Sequence, residues 1–481
     1  MLPLRPLTLP ALLGAALLAA CASPMPADPA RAAARSAASA PAWQRAPADL
    51  AGAADAATLA GWWRGLNDPV LDGLIDEALA ANLDLRVAQA NLARARALRE
   101  AGAAGLLPQL GSSASAARNR SGGQSTHSVA LGLDASWEPD VFGGQHAALR
   151  ALQAQAEASA ASAAGTRIAV LGEVALGYLQ WHGQRRQIAL AEENLALQRD
   201  SLAVAQWRHG AGLASALDVE QARGSVAQTA ARLPALRSAL QQNEHRLALL
   251  LGLPPGSLDR RLASAGPPPG LPPLPALGLP ADLLRRRPDV LAAEWTVQAA
   301  LATLDQRQAA RLPQFSISGR LGLQALTLAA LGGSGTLVSG LSATVSWPVF
   351  DGGAARAQVA AQQAALDAAN ASYLGAVLLA RQDVEDTLSA LVQGQAQLQQ
   401  LAEAASAERE VLRLARLRYQ AGTTDFSVLL DAQRSAVAAD DSLAQAGTEL
   451  ALNQVRLYKA LGGGWPAAEA VTPPPLAAAG R

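Results

Sequence analysis

One cysteine, one lysine, two methionines and few aromatic residues occur in 481 positions, and each scarcity excludes something. Cys21 cannot form a disulfide within the chain, so no cross-link replaces a packed core. Lys459 is the sole lysine among 39 basic residues; the rest are arginines, which keep their charge in any environment and suit ion pairs between helices. Acidic residues also number 39, so no net positive field exists to hold nucleic acid. Met1 and Met25 are the only methionines, which gives soft-metal ligation little support. His127, His146, His182, His209 and His245 are scattered, without metal-ligand spacing, and neither a nucleophile elbow nor a phosphate loop is present. No enzyme and no cofactor are expected. No run of eighteen or more apolar residues follows Cys21, so no membrane-spanning helix is expected either.

The chain opens with residues 1–20, which hold one charge, Arg5, and an apolar core from Ala11 to Ala20. That core is too short to span a bilayer and has the form of a signal peptide. Leu18-Ala19-Ala20-Cys21 resembles the bacterial lipobox, which implies a diacylglyceryl group on the Cys21 sulfur and acylation of the new first residue. Ala22 rather than aspartate follows, which in that family implies delivery to the outer membrane. Residues 21–60 are rich in Ala, Pro and Ser and are expected to form a lipidated tether. Residues 253–281, with "LPPGSLDRR" and "GPPPGLPPLPALGLP", hold too much proline for helix and are expected to be an extended linker. Residues 464–481 are expected to be a loose tail.

Between these segments one pattern occurs twice, as 61–252 and 282–463, offset by roughly 205–210 residues, which marks a duplicated large unit rather than a solenoid. Leu107-Pro108-Gln109 matches Leu312-Pro313-Gln314, and Arg208 and Gly212 match Arg418 and Gly422. Each copy has a long proline-free stretch, 145–208 and 354–420, with apolar residues every seven positions. Val174, Trp181, Ile188, Leu195 and Leu202 correspond one to one with Val384, Leu391, Leu398, Ala405 and Leu412. That period predicts coiled-coil packing of helices roughly 96 Å long. Residues 216–251 and 282–311 together sum to about one long helix, as do 66–105 and 426–461, so each long helix is expected beside two shorter ones stacked end to end.

Four segments alternate with period two: about 108–119, 127–138, 314–324 and 336–348. Val129, Leu131, Leu133, Ala135 and Trp137 share one face, and Ser128, Gly132, Asp134 and Ser136 the other. The Gly/Ser-rich segments 120–126 and 325–336 are the expected hairpin connections. Strands of this length suit a tilted membrane strand with one lipid face and one wet face. Four cannot enclose a barrel, and open edges in lipid are forbidden, so the chain must oligomerise if they enter a bilayer. Two copies give eight strands and a filled interior, and three give twelve with room for a pore, so strand count favours a trimer. Just after each hairpin stand "ASWEPDVFGG" and "TVSWPVFDGG". Trp137 and Trp347 suit a membrane–water interface, Pro139 and Pro348 stop the ladder, and Gly143-Gly144 and Gly352-Gly353 permit a sharp turn into the long helix.

With "WWRGLNDPVLDGLIDEALAANLDL" (62–85), "LPADLLRRRPDV" (279–290), "SWPVFDGG" (346–353) and "RYQAGTTDFSVLLDAQRS" (418–435), the chain resembles the TolC-like outer membrane factors, in their lipoprotein branch serving multidrug efflux. The resemblance spans Cys21 to Gly463. It implies a mainly α protein with a membrane β part: a homotrimer with a twelve-stranded barrel, four strands per chain, continuous with a long periplasmic α-helical barrel. It implies a passive duct fed by an inner-membrane RND transporter through a periplasmic adaptor. In that family the turns at 207–215 and 417–425 form the tunnel entrance and meet the adaptor, which assigns Arg208, Gly212, Arg418 and Gly422 to the tips. Asp431 falls where relatives place an acidic ring, and Arg434, one turn on, where helices lock by ion pairs. Val428 stands where a second aspartate occurs in TolC, so a single ring is implied; Asp218 occupies the comparable return helix. A duct for heavy-metal efflux or type I secretion, or a trimeric coiled-coil scaffold or adhesin, are the alternatives. Substituting Cys21→Ser is expected to abolish incorporation of radiolabelled palmitate into the chain, and labelling that persists would exclude the lipid anchor.

Overall fold

The computed structural model describes Trp43, residues 56–274, Leu277 and residues 286–465. The expected signal peptide, Cys21 and most of the tether lie outside these residues. The duplication is visible in element lengths. In the first copy α1 (Pro69–Ala81) and α2 (Leu83–Ala104) lead to strands β1 (Gln109–Ser121) and β2 (Gln124–Trp137), then to α3 (Gly144–Gly210) and α4 (Ala216–Leu250). In the second, α5 (Pro288–Ala309) leads to β3 (Gln314–Ala325) and β4 (Leu337–Ser346), then to α6 (Ala354–Gln420) and α7 (Phe426–Ala460). Helices α2, α3 and α4 measure 22, 67 and 35 residues, and α5, α6 and α7 repeat those lengths in the same order. At 1.5 Å per residue the long pair extend about 100 Å.

The seven-residue series is the packing seam. Val174, Trp181, Leu195, Val384, Leu391 and Ala405 are buried, and Ile188, Leu202, Leu398 and Leu412 half-buried. The expected stacking holds for α3, which carries both α4 and α5 along its side. It holds only in part for α6, which packs on α7 and α5, whereas α2 lies against α3. One flank of α2 and one of α6 are thus the protomer's own edges. The stretch 66–105 is also not one helix: Asn82 ends α1 at ψ 132°, caps α2 by accepting from the Leu85 amide at 2.9 Å, and donates to the Leu250 carbonyl at 2.8 Å. The α4 helix runs through Pro234, which leaves the Ala230 carbonyl without its helical donor.

The four strands form one antiparallel sheet in the order β1-β2-β3-β4, so the two hairpins join directly through β2 and β3. The first connection is shorter than its composition suggested: the ladder runs to Ser121↔Gln124, and only Gly122 and Gly123 turn, at φ 57° and 86°. Two adjacent positive φ values match the twist of the flanking strands. The second connection is long and holds a helical turn at Leu328–Ala330.

Three segments expected to be loose are anchored in the core. Trp43, in the tether, is buried, and a short helix forms at Ala56–Ala60. The proline-rich linker forms a helical turn at Asp259–Ala263 and buries Leu258, Leu262 and Leu277 in the central cluster with Leu71, Leu74, Tyr178 and Leu388. Apolar residues between the prolines make this segment a belt rather than a spacer. Gly464 and Trp465 are held as well: the Gly464 amide donates to the Leu59 carbonyl at 2.9 Å, and the Trp465 indole donates to the Arg286 carbonyl at 3.2 Å.

Arg287 ties three helices together. It is buried at the start of α5 and donates to Asp289 at 2.7 Å, to Asp383 of α6 at 2.8 Å, and to the carbonyls of Ala380 and Ala460 at 3.2 and 3.1 Å. Arg287→Ala removes these bonds while leaving the two half-exposed carboxylates to water, and is expected to destabilise the fold by about 1–3 kcal/mol, read from the denaturant midpoint of the purified protein. His182 is buried between Tyr178 and Trp181, with centroids 4.7 and 4.8 Å away, and its Nε2 has no hydrogen-bond partner among the described residues. Burial lowers its pKa, against the opposing pull of Asp68 and with the help of Arg185. A depressed histidine disfavours the folded state once protons bind the unfolded one, so stability is expected to fall as pH drops below about 6.5. Thermal melts at descending pH should show this fall flattened in His182→Gln.

Candidate functional site: a lumen, two joints and two tips

Strand register assigns the faces. Leu131↔Leu323, Leu133↔Leu321 and Trp137↔Ile317 pair apolar residues across β2 and β3, and Leu323↔Leu337 and Phe315↔Val345 carry that face onto β4. The opposite face is small and polar, with Gly132↔Gly322, Asp134↔Arg320 and Ser136↔Ser318. Here the Ser113 hydroxyl donates to Asp134 at 2.6 Å, Arg320 Nε lies 3.6 Å from the same carboxylate, and the hydroxyls of Ser318 and Ser342 are 2.7 Å apart. Curled with this face inward, the sheet offers a wet lumen and a lipid-facing exterior.

Each hairpin meets its long helix at a joint built the same way. The Trp137 indole donates to the Leu106 carbonyl at 3.0 Å and the Trp347 indole to the Arg311 carbonyl at 3.1 Å. Each ring therefore ties the end of a hairpin back to the segment that enters it, beyond the interfacial role its sequence position suggested. Trp347 itself stands one residue past β4, and Pro139 and Pro348 follow just after the two tryptophans. The glycine pairs are not equivalent position by position. Gly143 and Gly353 are the matching residues, each preceding its long helix at φ 77° and 94°. Gly352 is also left-handed at φ 64°, whereas Gly144 is the first helical residue, where an added Cβ would lie 3.1 Å from Ala309. A carboxylate closes each joint. Asp351 accepts from the amides of Ala355 and Gly353 at 2.7 and 2.8 Å, and these bonds lower its pKa. Burial opposes ionisation of Asp140, but the His146 amide and ring and the Gln145 amide hold its pKa below the ordinary value.

At the far end both long helices stop in one geometry. Gly212 donates to His209 and Leu213 to Arg208; Gly422 donates to Tyr419 and Thr423 to Arg418. This paired closure needs the left-handed backbone that Gly212 and Gly422 adopt at φ 76° and 74°. The return helices start differently. Ser215 and Asp218 form a reciprocal capping box at 3.2 and 3.0 Å, so the Asp218 carboxylate serves its own helix start. In the second copy Val428 replaces Asp218, and Asp425 caps without a side-chain bond.

The two tips are fastened to each other. Ala205, Val219 and Ala222 of the first join Ala415, Tyr419, Phe426 and Leu430 of the second in one apolar cluster. Arg208 crosses between them: its guanidinium sits 4.6 Å from the Tyr419 ring centroid and donates to the Tyr419 carbonyl at 2.5 Å. Gln433 reaches Ser201 at 2.7 Å, a buried bond one turn further in. Arg208, at the tip as expected, holds tip to tip within the chain. Its matching residue Arg418 is exposed. Asp431 and Arg434 are exposed on α7 and lie 3.8 Å apart, one turn from each other on the same helix. The sequence showed Arg208 and Tyr419 each beside a turn, but nothing in their spacing showed that they meet.

A protomer with an open amphipathic sheet at one end, helices of about 100 Å, and fastened hairpin tips at the other is built as part of a channel. The family model described as outer membrane efflux protein matches residues 74–253 and again 279–463. The chain is 34% identical to the outer membrane protein OprJ of Pseudomonas aeruginosa over 442 residues, covering 88% of this chain and 90% of the relative. It is 33% identical to the probable efflux pump outer membrane protein TtgC of Pseudomonas putida, covering 85% and 86%. The solved outer-membrane channel OprN superposes with a TM-score of 0.80 at 35% identity, covering 89% of this chain and all of the other; the open-state MtrE channel of Neisseria gonorrhoeae gives 0.80 at 28%, covering 89% and 96%. The chain belongs to the outer membrane efflux protein family. It is an outer-membrane efflux channel of the TolC-like fold, reaching from the outer membrane of a Gram-negative cell into the periplasm.

If Arg208 fastens the tips, Arg208→Ala and Tyr419→Ala are each expected to raise single-channel conductance in a planar bilayer. Asp431→Ala with Arg434→Ala tests the expected acidic ring and ion-pair lock separately: conductance equal to wild type would exclude both residues from gating.

Proposed function

We propose that three copies assemble into a passive exit duct. An inner-membrane RND transporter supplies drugs or other toxic small molecules to it through a periplasmic adaptor. The observation that carries this reading is the pair of unpaired sheet edges, β1 and β4, flanking a continuous apolar face. Edges in lipid must be satisfied, and three four-stranded sheets joined edge to edge give a barrel with a pore. The uncovered flanks of α2 and α6 call for the same neighbours. Two named relatives widen the substrate range without deciding it for this chain: a toluene efflux component and a pyoverdine export component. The Cys21 lipid would add an anchor beside the barrel, each buried methylene contributing about 0.8 kcal/mol.

Purified trimer in a planar bilayer is expected to conduct ions with no energy source, and deletion of the gene to sensitise cells to organic toxicants. Restoration of resistance by a gene copy lacking residues 314–346, the second hairpin, would contradict the duct reading.

A further inference from the structure

The outer mouth of the barrel carries charge of one sign, directed away from the lumen. From Gln109 to Leu133 the only ionisable residues are Arg118, Arg120 and His127, and the second hairpin has none from Leu321 to Leu337. The β1–β2 ladder has no bulge, so alternation fixes their faces. Leu110, Ser112, Ala114 and Ala116 pair with Ala135, Leu133, Leu131 and Val129 on the lipid-facing side. The next outward pair is Arg118↔His127, and the next Arg120↔Ser125. All three basic side chains are exposed, and none makes an ion pair or side-chain hydrogen bond among the described residues. The nearest acid in the sheet, Asp134, lies on the lumenal face and is held by Ser113 and Arg320.

Their height follows from strand geometry. Val129 to Trp137 spans roughly 27 Å along the strand at about 3.4 Å per residue. A tilt of ~40° makes that about 21 Å of height, close to the ~25 Å apolar band of outer-membrane barrels. Trp137 marks the periplasmic border, so Arg118 and His127 stand just above the outer one, a few ångströms past the last apolar pair. Arginine binds phosphate with two parallel donors, and neighbouring cationic side chains at a lipid border meet headgroups, not solvent alone.

We propose that Arg118, Arg120 and His127 form a binding site for the phosphate groups of an anionic glycolipid in the outer leaflet, one site on each protomer. The site rests on the barrel reading, but it is distinct from the conduction path, since all three side chains face away from the lumen. The lipid phosphates bridge β1 of one chain to the leaflet at the seam where β1 meets the neighbouring protomer, so occupancy stabilises the trimer.

The test follows thermal dissociation of the full-length trimer in neutral detergent with three probes: diphosphoryl lipid A, its fully dephosphorylated counterpart, and inorganic pyrophosphate. The phosphorylated lipid is expected to raise the melting temperature by several degrees, the other two not. Arg118→Gln with Arg120→Gln should lose most of that shift while single-channel conductance stays at the wild-type value, and Arg118→Lys with Arg120→Lys should retain part of it. The shift on the wild-type trimer should also shrink as salt rises, which tests the site even where a variant assembles poorly. An equal shift in the Gln variant, equal shifts with both lipids, a salt-insensitive shift, or a shift reproduced by pyrophosphate alone would each overturn the lipid site. Loss of conductance in wild-type trimer would count against the barrel reading instead.

Discussion

A backbone N–H or C=O facing hydrocarbon has no water to bond, and each unsatisfied group costs several kcal/mol. The sheet ends in two such rows, along β1 and β4, and it cannot close on itself with four strands. Assembly therefore follows from backbone chemistry before any side-chain contact is considered. The helices inherit the same incompleteness. The α2 and α6 flanks left open in one chain lie below the strand edges left open above them, so a single neighbour can satisfy both layers.

The joints let one chain serve two environments. A strand pairs with its neighbours and a helix pairs with itself, so the change from one to the other leaves orphan donors at each helix start. Asp140 and Asp351 absorb them, glycine supplies the left-handed step, and an indole pins the hairpin to the segment before it. The carboxylate contacts are local, the indole contacts each span one hairpin, and both kinds repeat in both copies. The central belt has the opposite character. It draws Trp43, Leu277 and Trp465 from three segments far apart in sequence onto the waists of the helices.

How much of this was legible in the sequence depended on whether the signal was periodic. The long helices, the seven-residue seam and the two strand faces follow from spacing, and the structure has them within a few residues. The proline-rich belt, Trp43 and Trp465 were missed because composition reports backbone preference, not burial. At Gly122-Gly123 the flanking Ser and Thr have loop composition, whereas the partner strand enforces pairing out to Ser121↔Gln124. Arg208 on Tyr419 and Arg287 among three helices are tertiary meetings separated by 211 and up to 173 positions, and no local pattern encodes them. Asp218 illustrates the converse: its capping role is encoded locally, as a serine three residues before a carboxylate.

The matched lengths of 22, 67 and 35 residues bear on symmetry at the periplasmic end. Three chains, each with two hairpins of one shape, present an almost sixfold crown whose true symmetry is threefold. The backbones alternate as near equals, but their surfaces do not: one tip is sealed by Ser215 and Asp218 with Trp207 exposed beside it, the other carries Val428, Asp431 and Arg434. A ring of identical partner subunits docking on all six would meet two kinds of ground in alternation. Each partner subunit would then need either one footing tolerant of both or two separate footings. Divergence between the copies can thus tune one set of contacts while the other keeps the ring in register.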